Sequence, residues 1–272
     1  MQITVLVDNT TNTQYLKAEA GYSVYLVDGK TKILFDTGET SLFLENAQRL
    51  GINLGDLDYI VLSHGHHDHS RGLNYLLPLY TENKETRPVL LCHPQAFIRR
   101  IKNDQELGID LTEDSLNASF TIKKSSEPFW ITERIVFLGE IKRKFSFEGL
   151  NSLGQIVKDK TFEPDHLPDD TAIAYKSAQG LVIITGCSHS GICNIIEQAK
   201  EICQEKRILA VIGGLHLLKP SAEQLNNTYK YLRKSNIDKL YACHCTDLSS
   251  RIALAQIGNL QEVCVGLTRT FP

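Results

Sequence analysis

Residues 64–69 read His-Gly-His-His-Asp-His and directly follow the apolar run 59–62, which is typical of a buried strand. His64 and His66 are two positions apart, so an extended backbone points both side chains to one side. Asp68 and His69 continue round the turn, where we expect them to face a second ion. Imidazole and carboxylate groups without a thiolate favour an open zinc, iron or manganese site. The alternative, a solvated histidine-rich loop, does not account for this density of ligands.

The segment resembles the His-x-His-x-Asp-His signature of the metallo-β-lactamase superfamily. Further strings resemble the same family in the expected order: Asp36-Thr37-Gly38, Gly186-Cys187-Ser188-His189-Ser190-Gly191 and Cys243-His244-Cys245-Thr246. The resemblance covers about residues 20–250. It implies an α/β (α+β) protein with the four-layer αβ/βα sandwich of that family.

The resemblance also implies two sets of metal ligands. They are His64, His66 and His189 for the first ion, and Asp68, His69 and His244 for the second. Of these, His64, His189 and His244 each follow an apolar strand, and strand ends are rigid mounts for ligands. Asp36 is expected to accept a hydrogen bond from a ligand imidazole and fix its tautomer, or in the alternative only to form a turn. His67 is expected to support the ligands rather than to bind metal.

One departure concerns the aspartate that commonly bridges the two ions in this family. The corresponding strand end reads Gly213-Gly214-Leu215-His216, with a histidine and no carboxylate. The chain can be matched to the family motif in a second way, and we call the two matches the first and the second threading. In the second threading Cys187 or His189 lies at the bridge, and the third ligand moves upstream to His166 or Asp170. We favour the first threading. Under either one the bridging carboxylate is missing, so we expect one or two ions, zinc first, with iron or manganese as alternatives.

Composition and charge narrow the class of protein. The chain has 272 residues, 42% of them hydrophobic, and a net charge of −3, which disfavours binding to nucleic acid or to an anionic membrane. No apolar stretch approaches the roughly 20 residues of a membrane span, and the N-terminus lacks signal-peptide features. Seven scattered cysteines without a Cys-x-x-Cys pair predict reduced thiols in a cytoplasmic protein. No feature predicts an oligomeric state.

Hydrophobic periodicity predicts two β-rich halves flanked by helices, within a single domain over residues 1–272. In the first half the patterns predict strands at 3–7, 22–27, 32–35, 58–62 and 88–92, and helices at 41–50, 71–77 and 94–101. In the second half they predict strands at 134–138, 171–175, 181–185, 208–212, 240–242 and 262–265, and helices at 192–203, 225–232 and 251–257. Asp28-Gly29 indicates a tight hairpin, and the helix at 71–77 is expected to end at Pro78. Weak patterning at about 102–130 and 140–168 predicts lid or substrate loops, or in the alternative disordered excursions.

The family resemblance implies a hydrolase that uses a metal-activated water or hydroxide. Asp68 is expected to orient that water, and His216 to contact the substrate or transfer a proton, unless His216 is simply a core histidine. The helix start at Ser190 and Gly191 offers N–H groups suited to phosphate. This favours a small phosphorylated or diphosphate-containing substrate.

Three strings resemble one branch of the family in particular: Gly-Cys-Ser-His-Ser-Gly-Ile at 186–192, Gly-Gly-Leu-His-Leu at 213–217 and His-Cys-Thr at 244–246. That branch contains metal-dependent hydrolases related to archaeal dihydropterin–aminobenzene ribofuranosyl phosphate synthases, which join a dihydropterin diphosphate to an aryl ribofuranosyl phosphate. A transferase of this kind is therefore an alternative to the hydrolase. An iron-based redox enzyme and a non-catalytic metal sensor are further alternatives. The net negative charge of the chain disfavours a nuclease.

Overall fold

The computed structural model describes residues 1–81, 87–159 and 161–272. The chain divides into two compact units. The first unit comprises Met1–Ser126, Ser152–Asp165 and Cys264–Thr270, and the second comprises Glu127–Asn151, His166–Val263 and Phe271–Pro272. Among the described residues, no helix has both the length and the apolar character needed to cross a bilayer. The single-domain boundary and the cytoplasmic location stay predictions.

The first unit is built on a mixed sheet. Its strands are β1 (Gln2–Val7), β2 (Ser23–Asp28), β3 (Thr31–Phe35), β4 (Tyr59–Val61), β5 (Val89–Cys92), β8 (Thr121–Lys124) and β17 (Thr268–Thr270), in the spatial order β17-β1-β2-β3-β4-β5-β8. The β3, β4, β5 and β8 strands run parallel, so their carboxyl ends meet at one edge. In β4 the Ile60 and Val61 side chains are fully buried, which gives residues 64–69 a rigid base.

A smaller sheet and short helices complete the first unit. The sheet contains β6 (Arg100–Lys102), β7 (Gln105–Glu106), β11 (Gln155–Lys158) and β12 (Thr161–Pro164). The helices are α1 (Leu42–Arg49), α2 (His67–Ser70), α3 (Leu73–Thr81) and α4 (Glu113–Asn117). Phe43, Ile60, Leu76, Tyr80 and Phe120 lie in its hydrophobic core.

The second unit is built on another mixed sheet. Its strands are β9 (Phe129–Trp130), β10 (Ile135–Phe137), β13 (Ala172–Ser177), β14 (Gly180–Thr185), β15 (Ile208–Gly214) and β16 (Lys239–Cys243), and its helices are α5 (Ile192–Cys203), α6 (Ala222–Lys234) and α7 (Leu248–Ala255). The β14, β15 and β16 strands run parallel, with Thr185 beside Gly213 and Gly213 beside Ala242. The residues that follow these three strands therefore emerge at the same edge of the sheet.

The predicted α/β class and most of the predicted elements are confirmed. The Asp28-Gly29 hairpin forms, with Asp28 paired to Thr31 across a turn at Gly29, which has a φ of +63°. The helix predicted to end at Pro78 instead runs to Thr81. Pro78 lies inside this helix and is exposed, and the buried Tyr80 that follows it donates a 2.5 Å hydrogen bond to Leu54 O, which holds the last turn in place.

Two other predictions are wrong. Residues 94–101 form turns that lead into β6 rather than a helix, because the Arg100 guanidinium binds the carbonyl oxygens of Ala96 and Gln95. The last strand is β17 at Thr268–Thr270 rather than 262–265, and it pairs with β1. The stretches 102–130 and 140–168 carry short elements, including α4, β8, β11 and β12. Their role as lids stays a prediction.

Candidate metal centre

The segment 64–69 of the first unit follows the end of β4, beside the end of β3. Asp36, the first residue after β3, donates its backbone N–H to Val61 O at 2.9 Å. Gly65 has no room for a side chain, since a Cβ atom there would lie 2.0 Å from Ala96 O. Close backbone packing therefore fixes where the histidines on either side of Gly65 emerge.

Three histidines of this segment form a buried imidazole cluster. His64, His66 and His69 are 1%, 4% and 0% exposed. The ring centroid of His64 lies 4.6 Å from that of His66 and 4.3 Å from that of His69, and His64 Nε2 is 3.0 Å from His66 Nδ1. Burial lowers the pKa of His66 to about 3, so its imidazole is neutral at pH 7. Neutral imidazole is the form that binds metal ions.

The Asp36 carboxylate orients the imidazole rings of this cluster. Its carboxylate accepts a 2.7 Å hydrogen bond from His69 Nδ1, which leaves Nε2 as the ring nitrogen of His69 available to a ligand. The same carboxylate accepts hydrogen bonds from the Ser63 backbone N–H and hydroxyl, each at 2.7 Å. Ser63 Oγ in turn lies 2.9 Å from His64 Nδ1. One buried carboxylate thus fixes two imidazoles.

Asp68 and His67 lie on α2 and are more accessible. The Asp68 side chain is 25% exposed, and its Oδ2 lies 3.8 Å from His69 Nε2. His67 Nδ1 lies 3.2 Å from Glu39 Oε1, with 28% of its side chain exposed. Asp68 therefore adds a partly solvated carboxylate beside His69, whereas His67 faces an acidic partner of its own.

The second unit gathers a separate group of donors at the ends of β14, β15 and β16. His189 and His216 have ring centroids 4.2 Å apart. The ligand atoms of Cys187, His189 and His216 all lie within 4.8 Å of one another, as do those of Cys187, His244 and Cys245. His216 and His244 both have a φ of +48°, a left-handed conformation that is rare outside glycine and frequent at functional sites.

Cys245 is a member of this group that the sequence reasoning missed. Its Sγ donates a 3.3 Å hydrogen bond to Cys187 O and accepts one of 3.3 Å from the His216 backbone N–H. Gly214 is required beside it, because a Cβ atom there would lie 2.4 Å from Cys245 Sγ. The string Cys-His-Cys-Thr at 243–246 was the available signal, but only the tertiary contacts separate Cys245 from an ordinary core thiol.

The predicted phosphate site at Ser190 and Gly191 is wrong in its premise that these N–H groups are free. Asp170 Oδ2 accepts the Ser190 backbone N–H at 2.8 Å, and Ser188 O accepts that of Gly191 at 2.9 Å. The first turn of α5 is also occupied. Glu148, which the sequence reasoning missed, accepts hydrogen bonds from the Cys193 and Asn194 backbone N–H groups. Oxygen atoms of the protein therefore accept the hydrogen bonds that were expected to go to a phosphate.

The residues of the second threading are placed as follows. His166 is exposed, and Asp170 is buried against Ser190, with its pKa raised by burial to about 6. Within the described residues, neither joins a group of converging ligand atoms. Cys187 and His189 do share such a group with His216. The choice between the two threadings stays a prediction.

The donor chemistry of each unit suits a divalent metal ion. The first unit offers three buried imidazoles and one partly exposed carboxylate. The second offers imidazoles together with the Cys187 and Cys245 thiols. Imidazole and carboxylate ligands suit zinc, iron and manganese, and thiolates shift the preference towards zinc.

These features agree with the comparisons to known proteins. The model of the metallo-β-lactamase superfamily matches residues 17–244. The chain therefore belongs to this superfamily, and both the family and the fold expected from the sequence are confirmed. Divalent metal binding is a property of the family.

Two relatives and one solved structure are similar to this chain over most of its length. An uncharacterised protein of Methanocaldococcus jannaschii is 32% identical over 265 residues, covering 97% of this chain and 98% of the relative. The 7,8-dihydropterin-6-methyl-4-(β-D-ribofuranosyl)-aminobenzene-5′-phosphate synthase of the same organism is 32% identical over 229 residues, covering 80% of this chain and 76% of the relative. The crystal structure of a metal-dependent hydrolase of the β-lactamase superfamily aligns with a TM-score of 0.85 and 29% identity, covering 100% and 99% of the two chains.

Proposed function

We propose that this protein is a metal-dependent hydrolase of a small molecule that carries a phosphate or diphosphate group. The observation that carries the proposal is the buried cluster of His64, His66 and His69, oriented by the Asp36 carboxylate. Histidines that bind metal typically donate their other ring N–H to a carboxylate or carbonyl, as His69 does to Asp36. Similarity to a metal-dependent hydrolase of the same superfamily supports the proposal.

The metal ligands we propose are the residues that the sequence resemblance assigns: His64, His66, Asp68, His69, His189 and His244. We expect one or two ions, with zinc as the metal. These residues would hold the ion, which would supply a Lewis acid that makes water a stronger nucleophile at neutral pH. Under the second threading, Cys187 or His189 would take the place of the missing bridging carboxylate.

The other residues have roles that follow from their positions. Asp68, a quarter exposed beside His69, can orient a water molecule and accept its proton. Asp36 and His67 hold the imidazoles and α2 in place. His216 lines a cavity together with His189 and is well placed to donate a proton to a leaving group or to bind a phosphate oxygen. Because Ser190 and Gly191 donate within the protein, we do not assign them to the phosphate.

A specific observation favours a second candidate. The 32% identity to the dihydropterin–aminobenzene ribofuranosyl phosphate synthase over 80% of this chain supports a transferase that displaces diphosphate. Such an enzyme would use the same ligands but would exclude water from the reaction. The two functions differ in whether an acceptor molecule is needed, and this difference can be measured.

The test is turnover by the zinc-loaded protein. A hydrolase releases 4-nitrophenol from bis(4-nitrophenyl) phosphate, and also cleaves a dihydropterin diphosphate in the absence of an acceptor. Asp68→Asn should lower kcat by at least about a hundredfold. Asp110→Asn, at an exposed carboxylate bound to Asn74, should leave it unchanged. Diphosphate release that requires an aryl ribofuranosyl phosphate would favour the transferase. Stoichiometric metal without turnover of either kind would contradict both and favour a sensor.

A further inference from the structure

The second unit contains a cavity of about 320 Å³ whose lining has polar and apolar parts. His189 and His216 form part of its polar lining, and Leu150 and Leu218 contribute apolar side chains. A cavity of this size accommodates a small organic molecule. The arrangement suggests a ligand with one polar and one apolar end.

The loop at 215–221, between β15 and α6, is strained and firmly anchored. Both His216 and Lys219 have left-handed backbone conformations, with φ of +48° and +49°. Lys219 N donates a 2.7 Å hydrogen bond to Asp247 Oδ2, and Asp247 N donates one of 3.0 Å to Leu217 O. Leu215 N donates to Thr246 Oγ1 at 3.0 Å. Backbone strain that the surrounding structure maintains is characteristic of ligand-binding segments.

This loop presents Leu218 at the cavity with 57% of its surface exposed. Leu150 reaches the same cavity from a different segment and is 55% exposed. A single exposed leucine needs no explanation. Two that line one cavity from separate segments form an apolar contact surface that a ligand would cover.

Lys219 provides the matching charge. Among the described residues that line the cavity, it is the one lysine or arginine. Glu148 also lines the cavity, but its carboxylate is bound to the N–H groups of α5, and Glu223 lies in the first turn of α6. An ammonium group in the lining of the cavity favours an anionic ligand.

We infer that the loop at 215–221 divides substrate recognition between two neighbouring residues: Lys219 binds a phosphate oxygen, and Leu218, together with Leu150, binds an apolar organic group of the same molecule. The substrate class is therefore a phosphate ester whose alcohol or phenol part is apolar. The inference rests on the phosphorylated substrate proposed above and deepens it, since it names the residues that choose among such substrates.

The experiment compares two probes, phenylphosphonate and methylphosphonate, by calorimetric titration into the zinc-loaded full-length protein. Wild type should bind phenylphosphonate about tenfold more tightly, because only the phenyl ring covers the two leucines. Leu218→Ser should remove most of this preference while leaving methylphosphonate binding unchanged. Lys219→Gln should weaken both probes by about tenfold and preserve their ratio.

Two control variants test whether the effects belong to the cavity. Leu248→Ser changes a leucine that is 65% exposed and does not line the cavity, and Lys234→Gln changes an exposed lysine near the end of α6. Both should bind the probes as wild type does. The inference is overturned if wild type shows no preference for phenylphosphonate, or if Leu218→Ser weakens the binding of both probes equally. It is also overturned if Leu248→Ser changes probe binding as much as Leu218→Ser does, or Lys234→Gln as much as Lys219→Gln. If the probes bind as predicted but the protein does not hydrolyse phenyl phosphate esters, the proposed hydrolase function is wrong and the inference about substrate recognition still holds.

Discussion

The Asp36 carboxylate accepts a 2.7 Å hydrogen bond from His69 Nδ1, and both side chains are completely buried. Asp36 adopts a left-handed backbone conformation with a φ of +56° at the end of β3. Backbone strain and burial of an aspartate both cost free energy, which its hydrogen bonds must offset. Here it determines which nitrogen of His69 points away from the core.

Replacing that carboxylate should weaken metal binding. In Asp36→Asn the amide cannot accept from both His69 and Ser63 as the carboxylate does, so we expect a loss of about 10–100-fold in zinc affinity. Competition with a chromogenic chelator measures this affinity. Asp56→Asn, at an exposed carboxylate of the same unit, is the control. Equal affinities in wild type and Asp36→Asn would show that Asp36 serves only the turn.

Glu148 should make stability depend on pH in an unusual direction. Burial raises the pKa of this carboxyl to about 7, above its ordinary value of 4.5. The folded protein therefore holds a proton that the unfolded chain releases between pH 4.5 and 7, and stability falls as pH rises through this window. The full contribution is about 3 kcal/mol and is lost above pH 7.

Urea denaturation of wild type and Glu148→Gln at pH 5 and pH 8 isolates this effect, since other titrating groups are common to both proteins. The free energy of unfolding of Glu148→Gln relative to wild type should rise by about 2.5 kcal/mol from pH 5 to pH 8, because the unfolded carboxyl is already mostly ionised at pH 5. A difference that does not change with pH would mean that the backbone hydrogen bonds of α5 keep Glu148 ionised throughout.

The buried ion pair between Arg100 and Asp165 should be among the more sensitive positions of the first unit. Both side chains are 0% exposed, and Arg100 Nε lies 2.7 Å from Asp165 Oδ2. Asp165→Ala leaves the guanidinium buried without its counter-charge and should lower the free energy of unfolding by about 3–5 kcal/mol. Glu163→Ala breaks an exposed pair with Lys158 and should cost less than about 1 kcal/mol. Similar losses for the two variants would contradict this account.

Gly213, at the end of β15, should not tolerate a side chain. Its φ is +129°, and a Cβ atom would lie 1.9 Å from Thr185 O. Gly213→Ala should therefore lower the free energy of unfolding by at least about 3 kcal/mol. Gly258→Ala has a φ of +89° but nothing within 4 Å, so it should cost only about 1–2 kcal/mol of backbone strain. Thermal denaturation of both variants separates the clash from the strain, and equal losses would exclude the clash.

The sequence predicted features that depend on neighbours along the chain. The spacing of His64 and His66 and the hairpin at Asp28 are local patterns, and both predictions rest on alternation or turn chemistry. The strands at 181–185 and 208–212 were predicted because they are continuous apolar runs, and their parallel pairing is seen only in the structure. These patterns sufficed to predict the α/β class, whereas the family was predicted from the resemblance of residues 64–69 and the downstream strings to its signature.

The errors have long-range causes. Residues 94–101 do not form a helix because the Arg100 guanidinium binds nearby carbonyl oxygens and Asp165, which is far away in the sequence. Glu148 occupies the start of α5, and no spacing rule relates it to Asn194. Asp170 and Ser188 accept the N–H groups of Ser190 and Gly191, so a helix start that looks open in the sequence is already satisfied in the fold.

The most direct test of the metal centre is the zinc content per chain after reconstitution and removal of excess metal. Wild type should retain at least one ion. His64→Ala should lose most of it, and His69→Ala should retain less than wild type. His216→Ala should equal wild type, because we assign His216 to the substrate. Wild type without stoichiometric zinc, or His64→Ala with wild-type content, would contradict the proposed centre, and loss of zinc in His216→Ala would make that residue a ligand.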